Sequence, residues 1–407
     1  MAHTCIRPGS AVRRVFAFAL LLAAAPLSAQ DAVPWRASYY PFLIGNPSTG
    51  LMLVGHYHLA RTAAYEARVP FDGIFSADGG WSTNNSRFVT AKFRAPLLVP
   101  GWRFAVDAGA SREGTFGYYG TGPDGSNEVL TPSSAFGNEF FRVRRTRYFL
   151  RGEVTRRVAG PLSVAAAGAF SKYRFASSKD GSIFDSDYFS EPLSGTDLTG
   201  RLTLILDTRN DEYIPGNGVL LEAGTYVGSG RFESRFIPPG FPPDGNSVSF
   251  TDHGYVGGYL HLRGYVSPRS GTVLAGRFLA RGLGAHAPLD ARYIVPGWER
   301  DITVLGGADS HRSFVPGRFA GRGVLLASFE VRHNLLDLGD LGAVTLIGFV
   351  DGGRAFGDTG LRWTLDDWKV GGGGGVAIRL LRSAPLIMNF AGGPDGFVFT
   401  MGNGWSF

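Results

Sequence analysis

The residues able to do chemistry are few. His56-Tyr57-His58 places two imidazoles on one face of an extended segment, an arrangement that becomes a metal pair only with a third ligand. The plainer reading is two polar side chains lining an interior, and no metal is expected. Gly371 to Gly375 has the outline of a phosphate-cradling loop, but no Lys-Ser/Thr follows. It lies between Lys369 and Arg379 in a segment that alternates like a strand, where small residues let a side chain or loop come close. Gly-x-Ser-x-Gly, His-Glu-x-x-His and paired cysteines are all absent. Neither catalysis nor a cofactor is expected.

The elements that would hold such residues are strands. In 407 residues there are 59 Gly, 13% aromatics and only 18% charged residues, a composition poor in helix formers and rich in strand and turn formers. Hydrophobic residues make up 44%, which excludes a disordered chain. Arg7, Arg13 and Arg14, the apolar run Val15 to Ala25 and the small residues ending at Ala29 read as a secretory signal over 1–29, with a mature start near Gln30 or Asp31. The formal net charge of +6 falls to +3 without those three arginines, too small a bias for nucleic acid. The single cysteine, Cys5, lies within that leader, so no disulfide framework is expected.

After Ala29 no apolar run reaches helix-spanning length, yet several segments alternate. Leu198, Gly200, Leu202 and Leu204 oppose Thr199, Arg201, Thr203 and Ile205. Tyr148, Leu150 and Val154 oppose Arg147, Arg151 and Glu153, and Val256, Leu260 and Leu262 oppose Tyr255, Tyr259, His261 and Arg263. One apolar and one ionic face per strand suits a wall between lipid and an aqueous interior. Strands are expected at 37–45, 51–60, 67–80, 85–95, 102–112, 145–157, 161–174, 196–208, 217–230, 250–266, 271–285, 322–334, 342–357, 368–381, 384–392 and 397–407, sixteen in all. The long connections, 113–144, 175–195, 231–249 and 286–321, all follow odd strands, while those after even strands are expected to be brief. That sorting predicts an all-β, antiparallel outer-membrane barrel over 30–407, with short periplasmic turns and long external loops.

On the last segment Phe397, Phe399, Met401, Trp405 and Phe407 are expected to share the lipid face. Thr400-x-Gly402-x-x-Trp405-x-Phe407 resembles the C-terminal signal by which such barrels are recognised for insertion. Three further motifs carry a resemblance. Asp207-Thr208-Arg209 followed by Pro215-Gly216-Asn217-Gly218 is similar to a D-x-R strand end with a P-x-x-G turn, and Phe349-Val350-Asp351-Gly352-Gly353 is similar to an F-x-D-x-G strand motif. Gly306-Gly307 through Arg312-Ser313-Phe314 falls where a G-G-x-x-x-(V/L)-R-G-(F/Y) loop is found, with His311 and Ser313 departing from it. Together they resemble the surface-antigen barrels of the outer-membrane assembly superfamily, to which BamA, TamA and the two-partner-secretion transporters belong.

The resemblance implies that loop 286–321 folds into the barrel and that Arg312, beside Phe314, meets carboxylates on the inner wall. Alternation puts Glu330 and Asp351 inward, opposite Phe329, Val331 and Val350, so two partners are available. About ten residues separate the expected cleavage from the first strand, so the POTRA domains of the assembly machines are not expected. The implied partners are outer-membrane lipid, lipopolysaccharide and the assembly machinery during insertion; the residues name no client. Three classes of function remain open: membrane insertion or translocation, a passive channel or structural surface protein, and an outer-membrane enzyme.

Overall fold

The computed structural model of the chain describes residues 33–407 apart from 47, 121–136, 189–191, 236–247, 299, 358 and 381–384. The expected leader over 1–29 lies outside the described residues. The wall begins with β1 (Arg36–Asn46), β2 (Gly50–Thr62), β3 (Phe71–Ser82), β4 (Arg87–Val99), β5 (Trp102–Gly117) and β6 (Arg142–Ala159). It continues with β7 (Leu162–Ser177), β8 (Leu193–Asp207), β9 (Gly218–Arg235), β10 (Val248–Arg269) and β11 (Thr272–Leu283). A short pair, β12 (Ile294–Val295) and β13 (Ile302–Thr303), precedes β14 (Gly323–Asp337), β15 (Gly342–Phe356), β16 (Lys369–Leu380), β17 (Leu386–Gly393) and β18 (Gly396–Asn403). Sixteen strands close an antiparallel barrel in chain order, and β12 and β13 form a separate small sheet. Each of the sixteen expected segments has its strand.

Alternation sets which side chains enter the lumen. Leu198, Leu202 and Val256 are more than half exposed on the outer surface, whereas Arg201, Thr203, Tyr255, Tyr259 and His261 are buried inside. One connection occupies much of the lumen. The connection from β11 to β14 carries a short helix (Leu289–Arg292) and the β12–β13 pair, and its Val295, Val304, Leu305, Phe314 and Phe319 pack on wall residues Tyr226, Tyr255, Tyr259, Leu279 and Leu326. Each large apolar side chain so buried contributes roughly 1.5–3 kcal/mol toward holding the loop inside.

Two expectations are corrected. The connections after even strands are not all brief, since 63–70 and 208–217 span eight and ten residues. The last strand ends at Asn403 rather than running to 407. Gly404 has φ 88°, a left-handed conformation that turns the chain off the wall, so Trp405 and Phe407 do not continue the lipid face of Phe397. Phe407 is buried inside with Tyr265 and Ala275, and Trp405 packs against the cluster of Ile347 and Phe349, whereas Phe397 is 70% exposed.

Closure is uneven. Strand β1 pairs with β2 along its whole length but meets β18 in register at only Gly45 and Met401.

Candidate functional site

The polar centre of the lumen is built on three neighbouring elements. Strand β14 presents Glu330 inward between outward Phe329 and Val331, and β15 presents Phe349 and Asp351 inward around outward Val350. The β11–β14 connection brings Arg312 between them. Arg312 Nε donates to Asp351 Oδ2 at 2.9 Å, Nη2 to Oδ1 at 3.0 Å, and its backbone N–H to Oδ2 at 2.9 Å. Nη1 bonds Glu330 Oε2, and the guanidinium carbon lies 3.6 Å from the Phe349 ring centroid. Burial works against the charge of Arg312, and the Asp351 and Glu330 carboxylates outweigh it, so its pKa lies above the ordinary guanidinium value.

Glu330 also accepts from Arg332 Nε at 2.6 Å, and Arg332 Nη2 donates to the Phe407 carbonyl at 2.9 Å while its guanidinium stacks 4.0 Å from the Trp405 ring. Arg277 on β11 donates to the carbonyls of Asp309, Ser310 and Ser406, and lies 4.6 Å from the Phe407 ring. The loop and the chain's last residues are therefore tied into one network. Arg277 and Arg332 belong to none of the sequence motifs. Arg332 stands two residues from Glu330 on one strand face, a spacing that could have revealed it.

The loop's departures from the motif have local partners. His311 Nε2 lies 2.9 Å from the Lys369 carbonyl, and burial first of all lowers its pKa, leaving a neutral ring that donates to that carbonyl. The ring meets Phe314 edge-on at 4.6 Å, and Phe314 meets Phe319 at 4.9 Å. Ser313 sits where the wall has no side chains: a Cβ at Gly371 would lie 2.3 Å from Ser313 Oγ, and one at Gly393 2.9 Å from its Cβ. Gly373 and Gly353 leave room in the same way for Phe349 and Leu305. Within the glycine run it is thus Gly371 that makes room for the loop.

The remaining motif residues lie apart. Asp207 grips Arg209 through Nε at 3.0 Å and Nη2 at 3.1 Å, and also receives Arg68 at 2.8 Å, at the mouth where β8 turns into β9. Pro215 lies in that turn, which closes at Gly218, where φ is 107° and a Cβ would stand 2.3 Å from the Thr208 carbonyl oxygen. Gly402 pairs with Ile387 in β18, beside the inward-turned Trp405 and Phe407. His56 and His58 face the lumen on β2: His56 Nδ1 is 2.6 Å from Asp78 Oδ1 and its Nε2 is 3.1 Å from His58 Nδ1. Among the described residues no group of three or more His, Cys, Asp or Glu side chains is arranged to hold a metal ion.

The sequence matches no family model and no curated protein. The fold does have solved counterparts. The barrel is similar to BamA from Haemophilus ducreyi lacking POTRA domains 1–3, with a TM-score of 0.53 and 13% identity over 90% of this chain and 70% of that one. It is equally similar to CdiB from Escherichia coli, with a TM-score of 0.53 and 13% identity over 90% of this chain and 62% of that one. At that identity the likeness is one of fold: a closed, sixteen-stranded antiparallel barrel.

Proposed function

We propose that this chain is an exported outer-membrane barrel that inserts or translocates protein or lipid at the outer membrane, its wall parting between β1 and β18. The observation that carries the reading is the seam: one register pair joins β1 to β18, whereas β1 and β2 pair end to end. Inter-strand hydrogen bonds are what hold a barrel wall shut in lipid, so the seam is where parting costs least. The loop tied through Arg312 to Glu330 and Asp351 occupies much of the interior, which weakens the passive-channel reading and favours the wall as the route. The fold shared with BamA and CdiB barrels agrees with this assignment. Lipid and lipopolysaccharide would face the outer surface, and the host's assembly machinery would meet the last strand during insertion.

The test is deletion of the gene followed by protein and lipid analysis of the outer membrane, then complementation. Leu43→Cys and Asn403→Cys lie two residues along from Gly45 and Met401 on the paired strands, and a short bismaleimide can bridge them. The deletion should alter outer-membrane composition, and the unbridged variant should restore it while the bridged one does not. An unaltered composition overturns the insertion reading, and full rescue by the bridged barrel overturns opening at the seam.

A further inference from the structure

Two adjoining cavities remain in the lumen beside the folded loop. The larger, of about 360 Å³, reaches the β8–β9 turn at Tyr213 and Pro215; the smaller, of about 270 Å³, is walled by Arg147 and Asp197. Lys92, Arg94 and Arg300 line both. Six cations line the larger cavity, namely these three with Arg103, Arg209 and Arg263. Four of the six are committed to carboxylates through close ion pairs, and Arg300 has a looser one. Arg94 holds both oxygens of Asp107 at 2.7 and 2.9 Å, Arg103 holds Glu212 at 3.1 and 2.6 Å, Arg209 holds Asp207, and Arg263 holds Glu222.

Lys92 is the unpaired cation, and Arg300 is only loosely held. Lys92 stands in register with Asp107, whose oxygens Arg94 already occupies, and it has no ion pair among the described residues. Arg300 Nη2 donates to the neutral carbonyls of Trp405 at 2.9 Å and Ser406 at 3.4 Å, while Asp309 stands 3.5 Å from Nη1 with both side chains open to solvent. Two underused cations at the junction of two cavities with protein walls focus a positive potential on a small volume. A carboxylate would leave one of them unmatched. A phosphomonoester, with roughly −1.5 to −2 charges at neutral pH and three acceptor oxygens, matches both. Trp298, Trp405 and Phe407 on the same walls give an apolar substituent somewhere to lie.

We propose that the junction of Lys92 and Arg300 binds a phosphate-class dianion that enters from the end bearing the β8–β9 turn. The group is either free phosphate or the headgroup of a lipid phosphomonoester. The site does not depend on the seam reading, because binding is measured on the isolated barrel whatever the deletion does to the cell.

The experiment is calorimetric titration of the purified full chain in an uncharged detergent. Inorganic phosphate and dihexanoyl phosphatidic acid are compared with chloride at matched ionic strength and with dihexanoyl phosphatidylcholine. Saturable phosphate binding is expected, weakened about tenfold in Lys92→Gln and in Arg300→Gln, as for loss of one charge-assisted contact, and unchanged in Lys179→Gln, at an exposed position just after β7 that lines neither cavity. Phosphatidic acid binding more tightly than phosphate upholds the site and assigns a lipid source; equal binding upholds it and assigns free phosphate. Phosphate no better than chloride, or undiminished binding by a heat-modifiable Lys92→Gln barrel, overturns the proposal. The wild-type titration tests it even if neither variant folds.

Discussion

At the residue scale the lumen turns on Arg312, whose guanidinium and backbone N–H both serve Asp351 while Nη1 serves Glu330. Removing one partner from a buried, fully bonded cluster leaves its charges uncompensated, at a cost of about 3–5 kcal/mol when dry and far less when wet. Arg312→Ala should lower the temperature of heat modification and open residues 286–321 to external protease, with Arg312→Lys intermediate because an ammonium cannot reproduce the fork. Unchanged protease sensitivity and melting in both variants would reduce Arg312 to an ordinary interior charge. Gly371 gives a second handle. Gly371→Ala should drive Ser313 out of its recess and destabilise the barrel by about 1–3 kcal/mol, and adding Ser313→Gly should recover part of the loss. If the two changes add without coupling in a denaturation cycle, the recess does not hold the loop. The resemblance pointed to Arg312 and its carboxylates from sequence alone, but the compensation for Ser313 was hidden, because Gly371 and Gly393 belong to strands remote from it in the chain.

At the scale of elements, the terminal strand shows where periodicity stops being a guide. Phe397, Phe399 and Met401 do alternate along β18, and continuing that beat assigns Trp405 and Phe407 to lipid. One glycine in the left-handed region, Gly404, breaks it and sends both rings inward to Arg332 and Arg277. No hydrophobic pattern encodes that turn, since an aromatic ring satisfies lipid and a cation-lined interior equally well. Trp405→Ser with Phe407→Ser should therefore do more than weaken an insertion signal. Amides of residues 306–314 should exchange faster, because Arg277 bonds the tail and the loop together and Arg332 links the tail to Glu330, the partner of Arg312, and less folded barrel should accumulate while export proceeds normally. Phe397→Ser, on the outer face, should leave loop exchange untouched. Equal exchange in the tail double variant and wild type would separate the tail from the loop. At the seam, the amides of Ser38 to Leu43 should exchange faster than those of β2, which has a partner on each side.

At the scale of the whole molecule, strand number and alternation were legible because lipid outside and charge inside impose a two-residue period on every wall segment. What fills the barrel was not legible from that period. Tyr255 and Tyr259 read from sequence as polar lumen residues, yet with Tyr226, Leu279 and Leu326 they form the seat for Val304, Leu305 and Phe314 of the long connection. Barrels of about sixteen strands otherwise leave an aqueous channel, so conductance separates a filled lumen from an open one. The wild-type chain in planar bilayers should show no steady current. Replacing residues 296–320 by a short Gly-Ser linker removes the Arg312 contacts and most of the loop's apolar anchors together, and should give a persistent open conductance. Arg312→Ala should lie between, with brief openings, because the apolar seat survives when the charge cluster is lost. A steady wild-type current would mean that ions pass the folded loop, and the passive-channel reading would then displace the one built on the seam.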